Sequence, residues 1–144
     1  MDARQRGGRG EKFDLLVIGA GMAGLTAALQ ATELGATVCV VERAPDIGGS
    51  GKYASFLWTA ADHRRMDEVN PLGDPTLRSI LVEEFKSARQ WVADRGIRLG
   101  KEIPGLRVGR GNIFDAEGYI RTCARQVEAA GGQLLLAAEP TELI

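Results

Sequence analysis

The stretch that most constrains this chain runs from Phe13 to Glu42, FDLLVIGAGMAGLTAALQATELGATVCVVE. An apolar run, Leu15 to Ile18, leads into Gly19, Gly21 and Gly24. A helix-like segment then closes at Gly35, and a second apolar run, Val38 to Val41, ends on Glu42. Strand, tight turn, helix, strand and acid in this order suit a dinucleotide. Gly19 permits a sharp turn, Gly21 lets backbone approach a pyrophosphate with no side chain between, and Gly24 lets the helix lie close on the strand. The exposed N–H groups at the helix start are then placed to face the phosphates. Glu42, eighteen positions after Gly24, is spaced to accept hydrogen bonds from ribose hydroxyls, and its charge would repel the extra phosphate of NADP. The nearly continuous apolar runs predict parallel strands covered on both faces.

Other function classes are disfavoured by composition. The chain has 144 residues, the size of one small domain, with 44% hydrophobic and 26% charged residues and a formal net charge of −1. That balance exerts no global pull toward nucleic acid or an anionic membrane. The longest weakly polar run, Leu15 to Leu29, falls short of the roughly 20 residues that span a bilayer, and the start lacks a signal-peptide apolar core, so a cytoplasmic protein is expected. Residues 1–12 are polar and glycine-rich and read as a flexible leader; one Arg6-Gly7-Gly8 triplet without aromatics does not make an RNA-binding tail. Cys39 and Cys123 sit in apolar-periodic segments and read as buried thiols, with no CxxC pair and no metal site expected.

Further along, Asp74-Pro75 reads as a helix start and Gly96 as its stop. One amphipathic helix of about 20 residues is expected, with Leu77, Ile80, Leu81, Glu84, Ala88, Trp91 and Val92 on the inner stripe. His63, within Asp62-His63-Arg64-Arg65, reads as a solvated surface residue. Ile103 to Asn112 reads as a glycine-rich solvated loop. Asp115 is placed to cap a helix burying Ile120, Cys123, Ala124, Val127 and Ala130, and Leu134 to Ala137 reads as a third strand.

After Glu42 comes Arg43-Ala44-Pro45-Asp46-Ile47-Gly48-Gly49-Ser50. The series Gly19, Gly21, Gly24, Ala28, Gly35, Glu42, Arg43, Gly48, Gly49 resembles the FAD-binding flavoproteins of the glutathione-reductase-like fold. Within them it is most similar to the fumarate reductase, succinate dehydrogenase and 3-ketosteroid dehydrogenase branch. Gly48 to Trp58 resembles that branch's Gly-Gly-Ser/Thr segment, although Phe56 and Leu57 replace its closing glycines. Asp74 to Gly96 resembles its helix ending in Trp-x-x-x-x-Gly, and Gly105 to Ile144 its turn, helix and third strand. The resemblance implies an α/β, Rossmann-like FAD-binding fold with a parallel core of three recognisable strands. It also implies FAD contacts at Gly19, Ala20, Gly21, Met22, Ala23, Gly24, Glu42, Arg43, Gly48, Gly49 and Ser50.

The absence of histidine from Ser50 to Trp58 points to non-covalent FAD, and the absence of cysteine after Gly49 disfavours a dithiol-disulfide reductase. In the resembled branch, the region of Arg107 and Arg110 borders the substrate cavity, where arginines can hold a carboxylate. Pro140 lacks the N–H that such enzymes direct at adenine near this point.

The expected reaction is hydride transfer between an activated substrate carbon and flavin N5. No residue receives a catalytic role and the small-molecule substrate is open. Residues 13–144 correspond to the N-terminal part of an FAD-binding domain, so the fold is expected to be incomplete at its C-terminus. A truncated product, or one piece of a split protein completed by a second chain, is expected. A non-redox binding module on the same fold, a non-functional remnant and a simple NAD module stand as alternatives.

Overall fold

The computed structural model describes residues 11–105 and 109–142; residues 1–10 of the expected leader, and Arg107, lie outside them. In chain order the strands are β1 (Leu15–Ile18), β2 (Val38–Val41), β3 (Phe56–Ala60), β4 (Leu99–Gly105), β5 (Gly109–Phe114) and β6 (Gln133–Leu135). The helices are α1 (Met22–Glu33), α2 (His63–Val69), α3 (Pro75–Glu83), α4 (Phe85–Asp94) and α5 (Ala116–Ala129). Two compact units result: the described residues through Lys52 with those from Ile120 onward, and Tyr53–Tyr119.

The first unit is the expected parallel layer. Its sheet has the order β1-β2-β6, with Leu15 opposite Val38 and Cys39 opposite Gln133. Val38, Cys39 and Val40 of the central strand are buried, as a parallel strand covered on both faces requires. Small residues let α1 pack on β1 and β2 with Leu25, Ala28 and Leu29 inward. Gly35 ends that helix at φ +88°, a left-handed conformation open to glycine. On α5, Ile120, Cys123, Ala124 and Val127 are buried, and both cysteines lie in the interior, outside any disulfide. Ala130, expected on that face, lies past the helix end and is exposed. The third strand stops at Leu135, short of the expected Ala137. Ala137 instead turns to φ +50° and donates its N–H to the Ala44 carbonyl at 2.9 Å, which draws the chain out of the sheet.

The second unit departs further from expectation. Asp74 caps α3, accepting the Leu77 N–H at 3.0 Å with Pro75 in the first turn, but the expected single helix is two. Glu84 adopts φ −90° and ψ 3°, which ends α3 and starts α4, and the Ser87 hydroxyl donates toward the Glu84 carbonyl oxygen at 2.8 Å. The inner stripe also differs from the expected one. Leu77, Ile80 and Leu81 are 62%, 46% and 47% exposed. The covered side follows Arg78, Val82, Phe85, Arg89 and Val92, an alternating four-three spacing that makes one continuous stripe along the two helices. Two arginines sit on it because their charges are matched locally. Arg78 reaches Asp67 at 3.1 Å and the Asn70 carbonyl at 2.7 Å, and Arg89 reaches Glu102 at 3.3 Å. Trp91 is half-buried, edge-on to Tyr119 at 6.1 Å. His63 opens α2 on the surface, 3.4 Å from a Glu83 carboxylate oxygen.

Within the expected solvated loop, Ile103–Gly105 and Gly109–Asn112 are instead strand residues of an antiparallel sheet of order β3-β5-β4; residues 106–108 lie outside the described ones. Phe56 and Leu57, which stand where the resembled segment closes with glycines, begin the sheet's outer strand β3. Glycine serves packing here. A Cβ on Gly105 would collide with the Phe56 ring, and one on Gly109 with the Trp58 indole, so bare backbone makes room for cross-strand aromatics. Asp115 then accepts the Gly118 N–H at 2.8 Å and caps α5.

Candidate dinucleotide site

The end of β1 and the start of α1 build the first wall. Gly19 closes the strand by donating its N–H to the Val41 carbonyl at 2.7 Å, then turns at φ +101°. Gly21 is the N-cap of α1, and no side chain caps the helix. The first turn of an α-helix leaves its N–H groups without intrahelical partners, so the amides of Met22, Ala23 and Gly24 belong to an electropositive end. Gly24 faces inward: a Cβ there would overlap the Gly19 carbonyl oxygen and come within 3.2 Å of Val17 Cγ1. Gly21 faces outward, where a Cβ would meet only the Gly48 carbonyl oxygen, at 4.0 Å. Two glycines three positions apart thus have different tasks, one toward the strand and one toward open space.

The second wall is the Gly48-Gly49 turn, with φ of +105° and +50°. Gly48 donates its N–H to the Ala20 carbonyl at 2.8 Å and forms a parallel bridge with Gly21, which lays the two glycine turns side by side. Around Gly49 a Cβ would find nothing within 4 Å. Ser50 and Arg43 are exposed at the margin.

Glu42 supplies the acid. Its N–H still bonds the Leu135 carbonyl at 2.8 Å, so the residue stays in sheet register at the tip of β2. Its carboxylate turns toward the glycine turn: Oε2 accepts the Ala20 N–H at 2.8 Å and Oε1 accepts the Ala44 N–H at 2.8 Å. The Ala44 amide first and the Ala20 amide second hold this carboxyl below the ordinary glutamate range, opposed by partial desolvation and aided by the Arg43 charge. Because the folded-state value is depressed, the resulting stability is full above the unfolded value of about 4.3 and is lost as pH falls through the folded value. The difference in melting temperature between the native chain and Glu42→Ala, measured without ligand, should therefore be largest near pH 7 and shrink below about pH 4. Asp14, lowered in the same direction by Thr37, is present in both proteins and cancels in that difference.

All eleven expected contact residues lie in the first unit, and the backbone bonds just described tie both glycine turns to Glu42. The buttress behind them was not expected. Ile120 is buried, with Cγ2 3.6 Å from where a Gly48 Cβ would stand and Cδ1 3.5 Å from that of Gly51. Asp46 is flanked by Lys52 at 3.9 Å and Arg121 at 3.6 Å. No spacing rule links a loop at 46–52 to a helix some seventy residues later, so only the tertiary structure could identify them.

The cradle fits a dinucleotide on its own geometry. Open space beside Gly21 and Gly49 admits a group that any Cβ would crowd, and uncapped amides border it. Glu42, with each oxygen accepting one backbone bond, retains acceptor capacity for hydroxyls.

Known proteins are similar to this chain in sequence and fold. The family model described as FAD dependent oxidoreductase matches residues 14–144. The NADH:fumarate oxidoreductase of Klebsiella pneumoniae is 36% identical over 107 residues, which is 62% of this chain and 12% of that protein. Among solved structures, the open conformation of a flavocytochrome c3 fumarate reductase superposes with a TM-score of 0.74 at 25% identity, covering 90% of this chain and 27% of that one. The 3-ketosteroid-delta4-(5alpha)-dehydrogenase of Rhodococcus jostii RHA1 has the same fold, with a TM-score of 0.72 at 17% identity over 94% of this chain and 40% of that one. The chain thus spans well under half the length of each of these relatives. Among the described residues no helix is long and apolar enough to cross a membrane. By the match over residues 14–144, nearly the whole of its length, this chain belongs to the FAD dependent oxidoreductase family.

Proposed function

We propose that this chain supplies the FAD-binding cradle of a flavin-dependent oxidoreductase of the fumarate reductase and ketosteroid dehydrogenase type. The amides of Met22, Ala23 and Gly24, with those of Gly49 and Ser50, hold the pyrophosphate, and helix α1 points its positive end at that charge. Gly19 and Ala20 shape the turn behind it. Glu42 accepts from the ribose hydroxyls, and Arg43 stands at the rim as a counter-charge. FAD held there would supply hydride-transfer chemistry at its N5 toward an activated carbon of a small-molecule substrate. The residues of this chain bind and orient; groups that hold the substrate and move the accompanying proton come from other polypeptide, such as a second chain that completes the fold.

The open face of Gly21 beside an uncapped helix end, with Glu42 turned toward the same turn, is the observation that carries this reading. Attachment of the cofactor is non-covalent in this proposal, since Ser50 to Trp58 offers no histidine to the flavin.

Dialysis of the purified chain against FAD, followed by acid precipitation, is the test. A yellow protein that releases all of its flavin to the supernatant, and whose melting temperature rises with FAD but not with NADH, is expected. No rise with FAD would refute the cofactor assignment, and flavin carried down with the precipitate would refute non-covalent attachment.

A further inference from the structure

We propose that Glu42 is also a positioning residue, a clamp that holds the two glycine turns in their binding shape before any dinucleotide arrives. The proposal deepens the cofactor reading and rests on it for the identity of the ligand, but the clamp itself is a property of the free chain.

Two residues are gripped through their N–H groups by the one carboxylate, and each also accepts a backbone hydrogen bond on its own carbonyl. Ala20 donates to Glu42 Oε2 at 2.8 Å while its carbonyl accepts from Gly48 at 2.8 Å. Ala44 donates to Glu42 Oε1 at 2.8 Å while its carbonyl accepts from Ala137 at 2.9 Å. Glu42 itself takes the Ala138 N–H on its main-chain carbonyl at 3.0 Å. The one carboxylate therefore joins the first glycine turn to the turn after β2, and backbone bonds carry the link on to the Gly48 turn and to the segment after β6. Ala20 is 0% exposed, so its N–H has no water to turn to if the acid leaves. A cradle already held in shape binds its ligand without first being ordered, and the same affinity then needs fewer contacts.

The clamp and the ribose contact ask different things of the side chain, and that separates them. A ribose hydroxyl donates and accepts, so a glutamine at this position can still serve it. Two backbone N–H groups only donate, and an ionised carboxylate is acceptor-only on both oxygens; glutamine would turn an NH2 against one of them. Glutamine is thus conservative toward the sugar and disruptive toward the clamp.

The experiment uses the full chain and its Glu42→Gln and Glu42→Ala variants. Amide hydrogen exchange is followed by NMR without FAD, and FAD affinity by fluorescence titration. In the native chain the Ala20 and Ala44 amides should be protected without ligand; in both variants their exchange should rise about tenfold or more and FAD affinity should fall by a similar factor. Unprotected Ala20 and Ala44 amides in the native chain would overturn the clamp without recourse to any variant. So would a Glu42→Gln chain that keeps native exchange rates at both amides and native FAD affinity. A native chain that protects both amides but does not bind FAD would support the clamp and defeat the cofactor reading, so the two failures stay distinct.

Discussion

Gly24→Ala should lower the melting temperature of the ligand-free chain by several degrees. Helix propensity alone argues the other way, since alanine in place of glycine gains about 1 kcal/mol in a helix interior. Packing decides the sign. The added methyl would overlap the Gly19 carbonyl oxygen and press on Val17 Cγ1 at 3.2 Å, so what must give includes backbone at the end of β1. Overpacking of this kind costs about 1–3 kcal/mol, and here it falls where α1 and β1 are joined by a short turn that has no slack. Less the propensity gain, the net loss is expected at about 1–2 kcal/mol, or roughly 3–10 °C for a domain of this size. Because the displaced helix start carries the proposed phosphate amides, FAD affinity should fall as well. Circular dichroism melts of the two proteins without FAD provide the check, and equal midpoints would mean that the helix can lift off the strand freely.

Gly21→Val should do the reverse: leave the melt nearly unchanged and remove FAD binding. Gly21 has φ −79° and ψ −177°, extended backbone that a β-branched residue adopts without strain. Its Cβ would meet only the Gly48 carbonyl oxygen, at 4.0 Å, so the side chain starts into open space rather than into packed atoms. The side chain then stands in the space where the pyrophosphate is proposed to lie. A loss of about 100-fold or more in FAD affinity is expected, with the ligand-free midpoint within about 2 °C of the native chain. Retention of native FAD affinity by this variant would move the pyrophosphate away from the glycine turn. Taken together, the pair separates a glycine required by the fold from one required by the ligand, although both belong to a single GxGxxG sequence.

The parallel unit was legible in the sequence because each of its parts is specified by local chemistry. Continuous apolar runs can only be covered strands, glycines at a turn permit close approach, and an acid after the second strand has a short list of physical uses. The elements β1, α1 and β2 therefore lie where the residue pattern puts them. The third strand was legible in kind, but its end was not. Its last residues leave the sheet because Ala137 bonds to Ala44, a partner more than ninety positions away.

The second unit was less legible, for two reasons. The helical segment carries two superposed stripes, an obvious one through Leu77, Ile80 and Leu81 and a covered one through Arg78, Phe85, Arg89 and Val92. Hydrophobicity selects the first. The second becomes available only when Asp67, Asn70 and Glu102 are brought up to satisfy the guanidinium groups. The hairpin of β4 and β5 was hidden because its glycines look like loop residues until Phe56 and Trp58 are seen to occupy the space above them.

By itself the sequence determined the strand, turn, helix and acid of the dinucleotide motif, since a φ sign, a missing side chain or an apolar run acts within a few residues of where it is written. Only the tertiary structure decided that Glu42 closes on Ala20, that Gly48 pairs with the first turn, and that Ile120 lies behind Gly48 and Gly51. Those are contacts between segments far apart in the chain, and their formation depends on the cooperative packing of the whole unit, which no local pattern encodes.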